Sequence, residues 1–269
     1  MNEVEREVLF NRLRSWVLQA GAIIRKKIDE PLNVTMKSNR KDLVTEIDKE
    51  IEKFFVTRIR NFYPSHYLLT EEGFGDPVNT LDGTVWIIDP IDGTMNFVHQ
   101  RQNFAISIGI YDRGIGEIGI IYDVMQNNLY CALRGKGAYK NDKKLSPLTE
   151  NKRIEDAIVC LNHRWLCENS FVDELIMQKL VKDARGTRTY GAAAIEFALI
   201  AEGAVDAYIS MRLQPWDIAA GKIIVHEVGG LLTKVDGESV SLLKRSPIVC
   251  CNASLHEQLI ENYLKKAKK

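Results

Sequence analysis

The stretch Trp86-Ile87-Ile88-Asp89-Pro90-Ile91-Asp92-Gly93-Thr94-Met95-Asn96 joins an apolar run to two closely spaced carboxylates. A short apolar run bounded by turn residues reads as a buried strand, with Asp89 at its end. Pro90 has no N–H to give to a sheet, so the strand is expected to stop there. Gly93 permits a tight turn or a close backbone approach. Two carboxylates beside Gly-Thr suit a hard, oxygen-liganded cation next to an anion held by backbone N–H groups. Metal-assisted phosphoryl chemistry requires that pairing.

Two more acidic features strengthen this reading. Glu71 and Glu72 follow the short apolar run Leu68-Leu69-Thr70, and Asp217 lies in Pro215-Trp216-Asp217-Ile218-Ala219-Ala220-Gly221, at the expected start of a helix. Each has an ordinary explanation when taken alone: a solvated acidic pair, an N-cap, a turn. Together, Glu71, Asp89, Asp92 and Asp217 would supply four carboxylates from three separate segments, with the carbonyl of Ile91 as a further oxygen. Mg2+ prefers such oxygens and keeps several waters. A pair of ions can stabilise both the attacking and the leaving oxygen of a displacement. By contrast, Gly114-Ile115-Gly116-Glu117-Ile118-Gly119 matches a dinucleotide-binding pattern only formally, because strand-like Ile120-Ile121-Tyr122 follows where a helix would be needed. It reads as a hairpin.

The joint pattern resembles the inositol monophosphatase family of magnesium-dependent, lithium-sensitive phosphatases. Three stretches carry the resemblance: Glu71-Glu72-Gly73, Trp86 to Asn96, and Trp216 to Gly221. Lys37-Ser38, Asp42 to Asp48, Phe104 to Gly109 and Gly191-Ala192-Ala193 support it, over roughly residues 30 to 252. The resemblance implies a layered αβαβα sandwich of the sugar-phosphatase type, mixing α+β and α/β character. It also implies a Mg2+-dependent phosphomonoester hydrolase, with two or three ions held by Glu71, Asp89, Ile91, Asp92 and Asp217. A metal-activated water would attack phosphorus directly, aligned by Glu71 and Thr94, with Asp48 supporting the threonine. Read from the residues alone, Asp48 is equally a capping-box partner of Thr45. Glu72 and Lys37 would lie just behind the metal ligands. Substrate contacts would come from Asp92, Gly93, Thr94, Gly191, Ala192, Ala193, Arg212 and Asp217.

One departure bears on specificity. Members that favour inositol phosphate often carry a glutamate seven residues before the Trp-Asp aspartate, and this chain has Ser210 there, with Arg212 close by. Loss of a carboxylate and gain of a guanidinium suit a more anionic substrate. NADP(H), fructose-1,6-bisphosphate and 3′-phosphoadenosine phosphatases on the same fold therefore remain open, as does a regulatory role in transcription complexes.

The remaining chain is ordinary for a globular protein: 269 residues, 45% hydrophobic and 27% charged, with no net charge. That balance gives no global field for nucleic acid or an anionic membrane, so the expected partner is a small phosphorylated metabolite. No signal-peptide pattern and no apolar run of spanning length is present. The five cysteines have no zinc or redox spacing. A cytoplasmic protein with free thiols is expected, and the resemblance implies a homodimer.

Hydrophobic spacing predicts helices over 3–28, from Thr45 to Tyr63, and from about Thr94 to Arg101. Strands are expected near 67–70 and 85–89, then a meander over 104–111, 117–123, 128–134 and 137–140. The second half should mix strands near 157–161, 205–210 and 247–252 with helices near 171–182, 191–203 and 217–228, and a last helix opened by a Ser254/Glu257 capping box. A division near 145 separates 1–145, an N-terminal α+β half with most metal ligands, from 146–269, an α/β half with Asp217, the two packed as one catalytic unit.

Overall fold

A computed structural model describes residues 1–30, 34–36 and 43–267. The N-terminal helix α1 (Glu3–Lys27) opens on a capping box between Asn2 and Glu5. A short antiparallel pair, β1 (Val34–Met36) and β2 (Leu43–Thr45), leads into α2 (Glu46–Phe62). Next come β3 (Tyr67–Thr70), β4 (Thr84–Asp92) and the short helix α3 (Thr94–Gln100). The meander is β5 (Ala105–Asp112), β6 (Ile115–Asp123), β7 (Asn128–Leu133), β8 (Gly137–Lys140) and β9 (Lys143–Lys144). The second half contributes β10 (Ile158–Leu161), α4 (Glu174–Asp183), β11 (Gly186–Arg188), α5 (Ala193–Glu202) and β12 (Ala207–Leu213). It closes with α6 (Pro215–His226), β13 (Leu231–Thr233), β14 (Ser246–Cys251) and α7 (Ala253–Leu259).

Two large sheets result. One runs β3 to β9 in sequence order, parallel only between β3 and β4. The other has the order β11-β10-β12-β14-β13, with β10 parallel to both its neighbours. Three apolar cores fix how they stack. Leu13, Val17 and Ile24 of α1 and Ile51, Phe55 and Ile59 of α2 pack on Trp86, Ile88, Ile108 and Ile120 of the first sheet. Its other face, Val85, Ile87 and Ile121, meets Phe197 of α5 and Ile218, Ala220 and Ile224 of α6, which also meet Tyr208 and Cys250 of the second sheet. Met177 and Leu180 of α4 and Leu255 and Leu259 of α7 cover that sheet's far side. The layers therefore alternate αβαβα, each helix burying one apolar stripe or, for α5 and α6 in the middle, nearly the whole circumference.

The structure corrects several sequence expectations. β4 does not stop at Pro90 but runs on to Asp92, and its register slips there: Asp89 pairs with Ser107, whereas Asp92 pairs with Ala105. Three steps on β4 face two on β5. This is a β-bulge, a place where a strand tolerates proline. The last helix is capped by Asn252, whose side chain accepts from the Leu255 N–H, and not by Ser254. The short strands β1, β2, β9, β11 and β13 were absent from the sequence reading because pieces of two or three residues carry no periodic signal. The Gly114 stretch is the β5–β6 hairpin.

Candidate active site

The bulge builds the site. Side chains three apart on a regular strand face opposite sides of a sheet. The extra residue reverses that alternation, so Asp89 and Asp92 both face the central helical layer, the side of Val85 and Ile87. Asp217 arrives from that layer. It is the third residue of α6, with Pro215 first, and its carboxylate accepts the Gln214 N–H at 2.8 Å in a capping box. Asp89, Asp92 and Asp217 each offer a carboxylate oxygen, all within 4.8 Å of one another.

Asp89 and Asp92 are only 1% and 7% exposed. Burial first, and then the negative charge of Glu71, Asp92 and Asp217, hold the Asp89 carboxyl well above the usual carboxylate range. Asp92 is raised likewise by burial and by Asp217, against the opposing effect of the Ala194 and Ala193 N–H groups. The Ala194 N–H reaches Asp92 Oδ2 at 2.6 Å. Glu71 lies against Asp89 and shares a side-chain hydrogen bond with it. Burying one carboxylate costs several kcal/mol unless it is compensated. A cluster of all-oxygen donors that repel one another fits a hard divalent cation.

Behind the acids, Asp48 bonds both Thr45 and Thr94. Its Oδ2 accepts from the Thr45 N–H at 2.9 Å and from the Thr45 hydroxyl, closing the capping box of α2. Its Oδ1 lies 3.2 Å from the Thr94 hydroxyl, which is also 3.2 Å from the Ile91 carbonyl. One hydroxyl proton serves one of these acceptors at a time.

A cavity of about 370 Å³ opens beside Asp92 and Asp217. Gly191, Ala192 and Ala193 line it where α5 begins, and Ser210 and Arg212 line it from β12. The Arg212 guanidinium carbon sits 5.8 Å from the Phe171 ring centre. Gly93 has φ +89°, and a Cβ there would lie 2.8 Å from that of Ala192. Asn96 ties α3 to the same loop by donating to the Tyr190 carbonyl at 2.7 Å, and it also donates to the Asn103 carbonyl just beyond α3. Lys37 lies outside the described residues, so its place is not assigned.

Sequence reasoning missed two buried carboxylates. Glu52 is fully buried and accepts from the N–H groups of Glu72, at 2.7 Å, and Phe74, at 2.9 Å. Glu196 accepts from the Tyr190 N–H at 2.9 Å, and its carboxyl is pushed up to about 7 by burial, against its hydrogen bonds. For Glu196 a faint signal was present, an acid set in the otherwise apolar run of α5; Glu52 shares its helix face with Asp48 and gave none.

Five alternating layers with acids gathered where a bulged strand meets a helix start form a sugar-phosphatase-type fold. The chain belongs to the inositol monophosphatase family, whose model matches residues 5–267, and it is a phosphoric monoester hydrolase of that family. It is 51% identical to an inositol-1-monophosphatase of Bacillus subtilis, over 95% of this chain and 96% of that one. The crystal structure of SaIMPase-II with 2′-AMP bound superposes with a TM-score of 0.88 at 38% identity, covering 96% of this chain and 95% of that chain. An IMPase/NADP phosphatase complexed with Mg2+ and phosphate gives 0.89 at 29% identity, over 98% and 99%.

Proposed function

We propose that the protein hydrolyses inositol monophosphate and other small phosphomonoesters with Mg2+, at the acidic cluster of Glu71, Asp89, Asp92 and Asp217. The observation that carries this is the convergence of Asp89, Asp92 and Asp217 within 4.8 Å. Together with Glu71 and the Ile91 carbonyl they would hold two or three ions, which neutralise phosphoryl charge and lower the pKa of water. Glu71 and Thr94 orient the attacking water. The Thr94 hydroxyl, donating to Asp48, presents a lone pair that accepts from that water. The N–H groups of Gly93 and Thr94 receive the phosphate, and Asp217 faces the departing alcohol. Glu72 stands behind Glu71.

Ser210 and Arg212 at the cavity wall favour breadth over strict inositol preference. A relative with 2′-AMP bound and an IMPase/NADP phosphatase are consistent with that breadth. The two halves, 1–145 and 146–269, act as one catalytic unit, supported by the Ala194 N–H bond to Asp92 and by a core drawn from both. We place the protein in the cytoplasm on its five free cysteines, and as a homodimer by family analogy. No described helix is long and apolar enough to cross a membrane.

The test is phosphate release from inositol monophosphate, 2′-AMP, NADP(H) and fructose-1,6-bisphosphate, with and without Mg2+. Inositol monophosphate and at least one nucleotide or doubly phosphorylated compound should be cleaved at comparable rates, only with Mg2+. Arg212→Ala should weaken the more anionic substrate selectively by roughly tenfold, the worth of one charge-assisted contact. Cleavage of inositol monophosphate alone, or an equal loss on every substrate, would rule out the breadth. Metal-independent turnover would rule out the mechanism.

A further inference from the structure

Helix α2 touches the site twice. At its N-terminus Asp48 holds the Thr94 hydroxyl. One turn later, Glu52 on the same stripe is fully buried, with one oxygen on the Glu72 N–H and the other on the Phe74 N–H. The Thr70 hydroxyl also bonds Glu52 and accepts from the Gly75 N–H at 3.0 Å. Further contacts strap the same loop to α2. The Lys53 ammonium lies 4.7 Å from the Phe74 ring centre. Arg60 pairs with Asp76, whose other carboxylate oxygen accepts the Leu68 N–H at 2.9 Å. On the opposite side the Glu71 N–H bonds the Ile88 carbonyl of β4 at 3.2 Å.

A buried carboxylate is a costly way to tie down a loop if packing alone would serve. What it provides is two acceptors in a fixed fork, which hold two loop N–H groups, those of Glu72 and Phe74, at once. We infer that Glu52 is a positioning residue that fixes Glu71 against Asp89 and in register with Thr94, so that α2 helps to set the spacing of the two water-orienting groups. This rests on the metal assignment proposed above.

Glu52→Gln keeps size and one acceptor but turns an NH2 toward a backbone N–H. The loop loses one of its two anchors, and Glu71 loses its aim. The experiment is calorimetric titration of Mg2+ into the metal-free full-length protein, paired with kcat and KM for inositol monophosphate at varied Mg2+. Glu52→Gln should raise the Mg2+ Kd tenfold or more, with kcat recovering toward wild type at high Mg2+ and KM changing less than threefold. Glu52→Asp, which keeps both acceptors, should fall between the two. If Glu52→Gln does not fold, Thr70→Val takes its place, with at least a threefold rise in Kd. A folded variant with a lowered Tm but the wild-type Mg2+ Kd would overturn the inference alone. A wild-type protein that binds no Mg2+, or a Asp92→Asn protein that binds it equally well, would overturn the metal assignment and this inference with it.

Discussion

Asp92 concentrates the conflict between folding and chemistry. Its carboxyl is buried beside Asp89 and Asp217 and held well above its ordinary range, so the metal-free fold is more stable when protons are bound there. Asp92→Asn removes one charge while an amide oxygen can still accept the Ala194 N–H. The chelator-treated variant should therefore melt higher than wild type, by roughly 2–4 °C for each kcal/mol of repulsion relieved. It should gain nothing from added Mg2+ and should lose about 10²-fold or more in turnover. A variant that still gains stability from Mg2+ would show that the cation is held elsewhere. Thr94 makes a different prediction. Thr94→Ala keeps the backbone N–H facing the phosphate and loses the hydroxyl between Asp48 and the water. Turnover should fall on the order of 10²-fold with KM little changed. A loss confined to KM would make Thr94 a phosphate clamp only.

Among the elements, β4 and α5 carry most of the design. The apolar run of β4, its acids and the helix after Gly93 were legible because period and punctuation agree there. The bulge was not legible, since nothing in Asp-Pro-Ile-Asp distinguishes a strand that ends at Pro90 from one that absorbs it as an extra residue. Only pairing with Ser107 and Ala105 decides that. Helix α5 holds the cavity loop through Glu196, whose folded value of about 7 lies above the ordinary carboxylate value of 4.5. A raised acid contributes stability below its unfolded pKa, and that contribution is lost as pH rises toward the folded one. Stability should therefore decline between about pH 4.5 and 7, by at most about 3 kcal/mol from this group. Glu196→Gln should flatten that decline, as followed by urea unfolding across the range. An unchanged slope would mean that other groups set it.

For the whole molecule, the acids of 1–145 are completed by one residue of 146–269. Asp217 stands on the helix shared by both sheets, and the core around it draws on Val85 and Ile87 as well as on Tyr208 and Cys250. The order of the longer elements was readable from hydrophobic spacing, and that of the two- and three-residue strands was not. The sandwich came from resemblance and not from spacing, because which face of a sheet meets which helix is a property of long-range packing. The positions of Glu52 and Glu196 depend on the same packing. Each looks like an ordinary helical glutamate until the loop that it anchors folds over it.

Everything proposed for this protein depends on Asp89, Asp92 and Asp217, with Glu71, forming the cation site of a phosphatase. The most direct measurement is anomalous scattering from a crystal of this protein soaked in Mn2+ as a stand-in for Mg2+. Anomalous peaks are expected among Asp89, Asp92 and Asp217, one of them also contacting Glu71. Peaks confined to other surfaces, or none at the cluster in crystals that bind Mn2+ elsewhere, would contradict it.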